Sequence, residues 1–196
     1  MTTFVLATAN PHKTEEMRAV LGELGIQLLP RPSDLPDVEE NEVTLEGNAL
    51  LKARALVHAT GHAAIADDTG LFVDALGGRP GAFSARYAGE NATYDANVAK
   101  LLGELVDVPA IDRGASFRTV IAVAYPSGMS MCVEGVLEGR ITTARRGENG
   151  FGYDPVFEPI SAGGRTLAEF SAQEKNENSH RSRALRSLVE VLGTSS

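Results

Sequence analysis

The sequence predicts an α/β protein with a mixed β-sheet. In the first half of the chain, short apolar runs alternate with segments of helical periodicity, an order typical of parallel strands joined by helices. In the second half, residues 117–125 and 129–137 are long alternating runs, which a Pro-Ser-Gly turn joins into an antiparallel hairpin. A sheet that contains both arrangements is mixed.

Each element follows from a local pattern. Residues 4–7 form a short apolar run, which residues 8–11 interrupt. Apolar residues recur at i, i+3, i+4 and i+7 from Met17 onward, which predicts a helix. This helix begins at about Pro11, and Gly25 ends it. The other predicted elements are strands at 26–29 and 63–66, helices from Thr44, over 91–105 and from Ser179, and irregular segments over 30–43, 77–89 and 147–159.

Length, composition and charge exclude several classes of protein. The 196 residues are predicted to form a single domain over 1–196, which is long enough to bury a core without disulfides. The net charge of −8 argues against bulk nucleic-acid binding, and Cys132, the only cysteine, excludes Cys-cluster metal sites. The start of the chain lacks a signal-peptide pattern, and no apolar run is long enough to cross a membrane. We therefore expect a cytoplasmic protein that binds neither nucleic acid nor membranes.

Residues 8–13, Thr8-Ala9-Asn10-Pro11-His12-Lys13, are a candidate anion site. Asn10 suits the N-cap and Pro11 the first position of the helix, and the free N–H groups at a helix N-terminus attract anions. Lys13 in the first turn opposes the helix dipole, which costs about 0.3–1 kcal/mol unless an anion lies between them. By itself, the segment favours this interpretation no more than a solvated lysine on a capped helix.

Two adjacent carboxylates, Asp67 and Asp68, are a candidate metal site after the predicted strand at 63–66. Hard cations such as Mg²⁺ bind carboxylate and phosphate oxygens together. The alternative is a simple turn in which Gly70 supplies a positive φ. The acidic tip of the preceding loop, Glu39 and Glu40, would complete a carboxylate site if the fold brought it beside Asp68. Taken alone, such a tip is typical of solvated surface.

Two segments in the second half carry further candidate binding groups. Glycines flank aromatic residues over 150–155, so the backbone can approach a ligand closely and a ring can stack on a planar base. The alternative is a structural loop whose aromatic rings fill the core. Lys175 and the run at 179–181, Ser-His-Arg, place basic groups at the predicted start of the last helix, where the dipole disfavours them. Two helices with this anomaly favour a shared polyanionic ligand over two frayed helix ends.

In chain order, these segments resemble the inosine triphosphate pyrophosphatase family. The set spans nearly the whole chain, which makes the resemblance specific. The matching segments are residues 7–13 (ATANPHK), 46–49 (EGNA) with 52–53 (KA), 66–71 (ADDTGL), 80–81 (PG), 84–87 (SARY), 150–157 (GFGYDPVF), 174–175 (EK) and 179–181 (SHR).

The resemblance implies a two-lobed α/β fold, with a long mixed sheet flanked by helices and a central cleft, and a homodimer. It also implies hydrolysis of non-standard purine nucleoside triphosphates (ITP, dITP and XTP) between the α- and β-phosphates, which yields the monophosphate and pyrophosphate. Mg²⁺ is the implied cofactor. The implied role is to cleanse the nucleotide pool.

The resemblance further implies roles for individual residues. Asp68 is expected to be the proton acceptor and a metal ligand, together with Glu39 or Glu40. The loop at 30–43 is not closely matched to the family, so the choice between the two glutamates stays open. The implied substrate-binding residues are Thr8, Ala9, Asn10, Pro11, His12, Lys13, Thr69, Phe151, Gly152, Tyr153, Asp154, Lys175, His180 and Arg181.

Two alternative functions are weighed against this interpretation. The related septum-inhibitor-like pyrophosphatases act on modified pyrimidine nucleotides, but the segments at 151–154 and 179–181 favour a purine substrate. A non-catalytic nucleotide sensor would bind phosphate without turnover. Asp68 and Lys13 argue against a sensor, because a pure binder needs no general base.

Overall fold

The computed structural model describes residues 3–8, 10–23, 25–36 and 38–193. Its strands are β1 (Thr3–Leu6), β2 (Gln27–Leu29), β3 (Ala64–Val73), β4 (Pro80–Gly81), β5 (Gly114–Ala124), β6 (Ser130–Ile141) and β7 (Phe157–Pro159). Its α-helices are α1 (Pro11–Glu23), α2 (Leu45–Thr60), α3 (Tyr94–Glu104), α4 (Ala172–Asn178) and α5 (His180–Gly193).

The predicted α/β fold with a mixed sheet is confirmed. The strands form one seven-stranded sheet in the order β2-β1-β3-β5-β6-β7, and β4 pairs with β3. Strand β1 is parallel to both β2 and β3, whereas β4 and β7 are antiparallel to β3 and β6. The parallel part comes from the early β–α units and the antiparallel part from the later hairpins, as the order of sequence patterns predicts.

The chain divides into two compact units. The first comprises residues 1–68, 119–135 and 180–196, and the second comprises residues 69–118 and 136–179. Each unit collects pieces from distant parts of the chain, so neither corresponds to one continuous sequence segment. The prediction of a single domain over 1–196 stays a prediction.

The core of the first unit has apolar clusters on opposite sides of strand β1. Phe4 and Leu6 pack in a cluster with Met17 and Leu21 of α1 and with apolar residues of α5. Val5, which points to the opposite face, packs with residues of α2. Helices α1 and α5 thus cover one face and α2 the other.

Capping residues set the ends of α2 in the first unit. The Thr44 hydroxyl accepts a hydrogen bond from the Gly47 N–H at 3.1 Å. Gly61, with φ of 69°, ends the helix in a left-handed conformation, and its N–H donates to the Val57 carbonyl. Because both ends of α2 are fixed, the directions in which its polar side chains point are fixed as well.

The core of the second unit is built on the far parts of the long strands. Leu71 and Val73 of β3 and Phe117 of β5 pack with α3, and the Phe117 and Phe157 rings meet edge to face at a centroid distance of 4.7 Å.

Among the described residues, no helix is long and apolar enough to cross a membrane.

Three sequence predictions about the elements need correction. The strand predicted at 63–66 continues to Val73, so Asp67 and Asp68 lie within β3 and not after its end. Gly70 does not have the positive φ that a turn would need, and a side chain there would collide with the Gly81 backbone. The segments predicted to be irregular over 77–89 and 147–159 contain β4 and β7, and a short helix, α4, precedes α5.

Candidate functional site

The predicted anion loop is capped as the sequence indicates. The Asn10 side-chain oxygen accepts from the N–H groups of His12 at 3.0 Å and Lys13 at 3.4 Å, and Pro11 is the first residue of α1. The Thr8 hydroxyl in turn accepts from the Asn10 N–H at 3.1 Å. These bonds fix the turn between β1 and α1. Ala9, a predicted binding residue, lies outside the described residues.

Lys13 belongs to a network of four alternating charges within the first unit. Its ammonium lies 3.0 Å from the Asp67 carboxylate, which is fully buried. The Arg181 guanidinium, also buried, pairs with the same carboxylate at 3.4 Å and with Glu16 on its other side. Burial alone would raise the pKa of Asp67, but Lys13 and Arg181 outweigh burial and hold that pKa well below its usual range. Asp67 is therefore a fixed anion.

Asp68 occupies a separate and differently charged environment. Its Oδ1 is 3.1 Å from the Lys52 ammonium, and its Oδ2 accepts from the Asn48 amide at 3.2 Å. Lys52 also contacts Glu40 at 2.6 Å, so one ammonium joins the two carboxylates. Asn48 and Lys52 lie four residues apart on α2 and therefore share one face of that helix.

The pKa of Asp68 is shifted in the opposite direction from the pKa of Asp67. Burial raises the pKa of Asp68 and the nearby Glu40 raises it further, although Lys52 offsets part of the effect. Burial would lower the pKa of Lys52, but Asp68, Asp67 and Glu40 outweigh it, so that pKa lies above its ordinary value. A carboxylate with a raised pKa next to a fixed ammonium has the properties of a proton acceptor.

The structure separates the two candidate glutamates of the acidic loop. Glu40 is half-buried and shares Lys52 with Asp68, whereas Glu39 is exposed. Within the described ranges, no group of three or more His, Cys, Asp and Glu side chains is arranged to hold a metal ion. Asp68 and Glu40 supply hard oxygen donors and already hold one cation between them, so this pair fits Mg²⁺ by its chemistry.

His180 and Arg181 begin helix α5, as predicted, but both side chains are buried. His180 Nδ1 lies 2.6 Å from the hydroxyl of Thr119 on β5, and this contact orients the ring. Arg181 is held by Asp67 and Glu16. The close packing of this helix start depends on Gly135 of β6, because an added Cβ there would collide with the His180 carbonyl oxygen.

The second unit carries its own cluster of predicted residues. The Lys175 ammonium is 2.7 Å from the Asp154 carboxylate and 4.4 Å from the centre of the Phe151 ring. The same carboxylate accepts from the Phe151 N–H at 2.8 Å. Gly150 has a φ of 76° and lies against Asp154, where a larger residue would collide. The half-buried Phe151 ring and the Asp154 carboxylate are thus held by one tight loop, and Lys175 of α4 contacts both.

The other predicted binding residues of this unit differ in their burial and in the element that carries them. The Tyr153 hydroxyl donates to the Ser84 carbonyl at 2.9 Å, so this ring belongs to the core and not to an open ligand surface. Gly152 is half-buried with a φ of 63°, and Thr69 is half-buried directly after Asp68 in β3. The sequence predicts Lys175 at the start of the last helix, but this residue lies in the preceding helix, α4.

The sequence alone assigns no role to Asn48, Lys52 and Glu16, and it predicts Asp67 only as part of a candidate metal site with Asp68. The four-residue spacing of Asn48 and Lys52 on a capped helix was a usable signal, because it places both polar groups on one face. No local signal marks Glu16, which lies 165 residues from Arg181 in sequence. Only the packing of α1 against α5 brings these two side chains together.

Comparisons with known proteins give a consistent result. The chain is 48% identical over 196 residues to the dITP/XTP pyrophosphatase of Streptomyces avermitilis and 49% identical over 195 residues to that of Geobacter sulfurreducens, with 98% of each chain covered in both cases. Its fold matches the structure of a HAM1 protein from Coxiella burnetii, with a TM-score of 0.89 and 43% identity over 99% of this chain and all of that one.

The similarity also extends over all the segments described above. The family model of the Ham1 family matches residues 4–191 of this chain. That range includes the capped loop, the Asp68 cluster and the Lys175 cluster. On fold, sequence and the chain order of these clusters together, this protein is a member of the Ham1 family.

Proposed function

We propose that this protein hydrolyses non-standard purine nucleoside triphosphates, ITP, dITP and XTP, to the monophosphate and pyrophosphate. The relatives from Streptomyces avermitilis and Geobacter sulfurreducens are named dITP/XTP pyrophosphatases, which supports this activity and substrate class. The reaction removes unwanted nucleotides from the cellular pool.

The observation that carries the proposal is the environment of Asp68. The side chain is buried, its pKa is raised, and Lys52 and Asn48 fix its two oxygens. A carboxylate of this kind orients a water molecule and accepts its proton as the water attacks the α-phosphorus. The bond between the α- and β-phosphates then breaks, and pyrophosphate is the leaving group.

Charge explains how the triphosphate is held. Lys13 lies in the first turn of α1, where the helix N-terminus attracts anions, and Asp67 fixes its ammonium. Lys52 supplies a second cation beside Asp68. Both positions act electrostatically on the phosphates, and charge that develops on the leaving pyrophosphate is stabilised in the same way.

We include Mg²⁺ in the proposal, with Asp68 and Glu40 as its ligands. The two clusters together contain Lys13, Lys52 and Arg181 but four carboxylates, so the protein alone offers no excess positive charge to a polyanion. Bound Mg²⁺ would supply that charge and polarise a phosphate oxygen. Glu40 is proposed as the second ligand in preference to Glu39, because Glu40 and Asp68 already share the Lys52 ammonium.

The nucleoside is assigned to residues that the family resemblance implies. Lys175, Asp154 and the Phe151 ring supply a charged pair and a ring face of the kind that binds a purine. A donor from His180, Arg181 or the main chain is proposed to meet the 6-keto oxygen of the base, as the family resemblance implies. Adenine carries an amino donor at that position, and a donor that faces another donor costs about 1–3 kcal/mol.

We further propose that the protein is a homodimer and acts in the cytoplasm. The homodimer follows from the family resemblance, and light scattering would test it by a mass near twice 20.7 kDa. The net charge of −8 agrees with a small phosphorylated substrate that a metal bridges, and not with a nucleic acid.

The test is product analysis with ITP, XTP, ATP and GTP supplied in parallel, with Mg²⁺ and with a chelator in its place. We expect monophosphate and pyrophosphate from ITP and XTP, little product from ATP and GTP, and no turnover with the chelator. Release of orthophosphate and a diphosphate would mean attack at the γ-phosphorus and would contradict the assignment of Asp68.

The same assay separates the alternative functions. Preferential turnover of modified pyrimidine triphosphates would favour the septum-inhibitor-like activity. Tight binding of ITP without any product would favour a nucleotide sensor. Undiminished turnover in the chelator would contradict the need for Mg²⁺. The role of Asp68 would then be tested by the Asp68→Asn variant alone.

A further inference from the structure

The Asn48 side chain connects the acidic loop, which carries Glu39 and Glu40, to strand β3. It is fully buried in the first turn of α2. Its Oδ1 accepts from the Glu42 N–H at 3.1 Å. Its Nδ2 donates to the Glu42 carbonyl at 3.3 Å and to Asp68 Oδ2 at 3.2 Å. One side chain therefore holds the main chain of the loop and the candidate proton acceptor together.

These three bonds require an amide at position 48. A primary amide has two N–H hydrogens and one carbonyl oxygen, and Asn48 uses both hydrogens and the oxygen. The opposite orientation of the amide would place its oxygen against the Glu42 carbonyl and the Asp68 carboxylate, both of which only accept. A buried amide that lost one of these partners would leave polar atoms without hydrogen bonds, which is unfavourable.

Asn48 and Lys52 join the loop to Asp68 in different ways. Lys52 lies one turn further along α2 and contacts the side chain of Glu40 at 2.6 Å and Asp68 Oδ1 at 3.1 Å. Asn48 contacts the main chain of Glu42, two residues after Glu40, and Asp68 Oδ2. The two α2 side chains thus use different atoms of the loop and different oxygens of the carboxylate.

This difference matters when a cation binds between Asp68 and Glu40. A cation held by both carboxylates competes with the Lys52 ammonium for their negative charge. The Asn48 bonds do not involve the side chain of Glu40, so they are compatible with a bound cation. Asn48 can therefore keep the loop against β3 whether Lys52 or a metal ion neutralises the two carboxylates.

Gly47 provides independent evidence that the loop packs directly on α2. A Cβ added at Gly47 would lie 2.8 Å from the Glu42 Cβ and 2.9 Å from its Cγ, closer than side-chain atoms normally approach. Gly47 does not have a positive φ, so its role here is to leave space. The atoms nearest to that Cβ belong to Glu42 and Thr44, so a larger residue would displace the loop without a direct effect on Asp68.

We propose that Asn48 is a positioning residue for the cation-binding pair: through Glu42 it holds Glu40, and through Oδ2 it holds Asp68, so that both carboxylates contact the same Mg²⁺. This role rests on the proposed function, since ligation of Mg²⁺ by the pair is itself proposed. Groups that orient metal ligands typically change metal affinity by about 10- to 100-fold when they are removed.

Hydrogen exchange measured by NMR tests the structural part of this role. In the full chain without nucleotide, the Glu42 amide should exchange about tenfold faster or more in Asn48→Ala, because its acceptor is lost. Asn97→Ala is the matched control. Asn97 is also buried, and its amide accepts from the Ala88 N–H at 2.8 Å and donates to the Ala85 carbonyl at 2.9 Å. That variant should release the Ala88 amide and leave the exchange of Glu42 unchanged.

Calorimetric titration with Mg²⁺ alone tests the functional part. We expect Asn48→Ala to bind Mg²⁺ about 10- to 100-fold more weakly than the unchanged protein. Asn97→Ala should lose stability to a similar extent in thermal melts but keep its Mg²⁺ affinity. In ITP hydrolysis, the Mg²⁺ concentration for half-maximal rate should rise in Asn48→Ala, and excess Mg²⁺ should restore part of kcat. A purely structural role would affect both asparagine variants alike.

Gly47→Ala is a second variant that leaves Asn48 and Asp68 intact, should Asn48→Ala fail to fold. It should weaken Mg²⁺ binding in the same direction, because it moves the loop away from α2. Gly103→Ala in α3 is its control, since nothing lies within 4 Å of the position of the added Cβ. Gly103→Ala should leave the Mg²⁺ affinity unchanged.

Failure of this role is distinguishable from failure of the proposed function. If the unchanged protein requires Mg²⁺ for turnover, but Asn48→Ala and Gly47→Ala match it in Mg²⁺ affinity and in half-saturating Mg²⁺ concentration, the role of Asn48 is overturned and the hydrolysis stands. If the unchanged protein binds no Mg²⁺ and turns over ITP fully in a chelator, the proposed metal ligation fails, and the role of Asn48 fails with it.

Discussion

Asp67 and Asp68 are adjacent in β3 and both buried, yet their surroundings act on them in opposite directions. Asp67 lies between Lys13 and Arg181, which favour its charged form. Lys52, which contacts Asp68, and Lys13 lower the pKa of Asp68, but burial and the nearby Glu40 outweigh them, so that pKa rises. Successive side chains of a strand point to opposite faces, which is why neighbours in sequence can belong to different clusters.

Asp68→Asn is expected to lower turnover strongly while it preserves the fold. An amide cannot accept the proton of the attacking water, so kcat should fall by about 10²-fold or more, the range for a lost general base. Nucleotide binding should largely survive, because Lys13 and Lys52 remain. Steady-state kinetics and a binding titration measure the two effects, with exposed Asp34→Asn as the control. Turnover close to that of the unchanged protein would exclude Asp68 as the proton acceptor.

Asp67→Asn is expected to act mainly on stability. It leaves Lys13 and the buried Arg181 without their shared carboxylate, and loss of one partner of a buried ion pair costs about 3–5 kcal/mol of the free energy of unfolding. Asp95→Asn is the matched control, since Asp95 pairs with Arg145 but its side chain is 83% exposed. That control should cost about 0–1 kcal/mol. Equal midpoints in denaturant for the two variants would contradict the role given to the Asp67 network.

The start of α5 lies closely against β6, and one glycine permits that approach. A Cβ at Gly135 would lie 3.0 Å from the Ala184 Cα and closer still to the His180 carbonyl oxygen. The neighbouring atoms are main chain and cannot rotate away. His180 and Arg181 occupy the first turn of this helix, so its distance from the sheet sets where both side chains lie.

Gly135→Ala should therefore destabilise the protein and weaken catalysis together. Forcing extra volume into a packed contact costs about 1–3 kcal/mol, and the displaced helix start moves Arg181 relative to Asp67. Gly22→Ala in α1 is the control, because nothing lies within 4 Å of the position where its Cβ would be. That change should stabilise the helix by up to about 1 kcal/mol. If thermal melts rank the two variants in the opposite order, the contact does not limit the packing of α5.

The two compact units share three strands of one sheet. Strands β3, β5 and β6 each contribute residues to both units, since the unit boundaries fall at residues 68–69, 118–119 and 135–136. Unfolding of either unit would release strands whose remaining residues belong to the other. The continuity of these strands links the stability of the two units.

We accordingly expect one cooperative unfolding transition. Scanning calorimetry should give a calorimetric enthalpy equal to the van't Hoff enthalpy, the criterion for two-state unfolding. Asp67→Asn, which lies in the first unit, should shift the whole transition to lower temperature. Two resolved transitions, of which only one responds to that variant, would show that the units unfold independently.

Local patterns in the sequence determined the parts of this protein that depend on neighbouring residues. Asn10 and Pro11 predict the start of α1, because capping requires only the residues at the helix end. The alternating runs predict the hairpin for the same reason. The ordered motifs identified the family, and with it Asp68 and the Lys175 cluster as candidates.

Tertiary structure alone decided which charged groups meet. Asp68 contacts Asn48 and Lys52, 20 and 16 residues away, and Arg181 contacts Asp67 across 114 residues. No local pattern specifies such pairs, because they depend on how α1, α2 and α5 pack on β3. The same packing separates Glu40 from Glu39, holds Asp67 as a fixed anion and raises the pKa of Asp68. Burial and charge are properties of the folded surroundings, so the difference between two adjacent aspartates arises only in the folded chain.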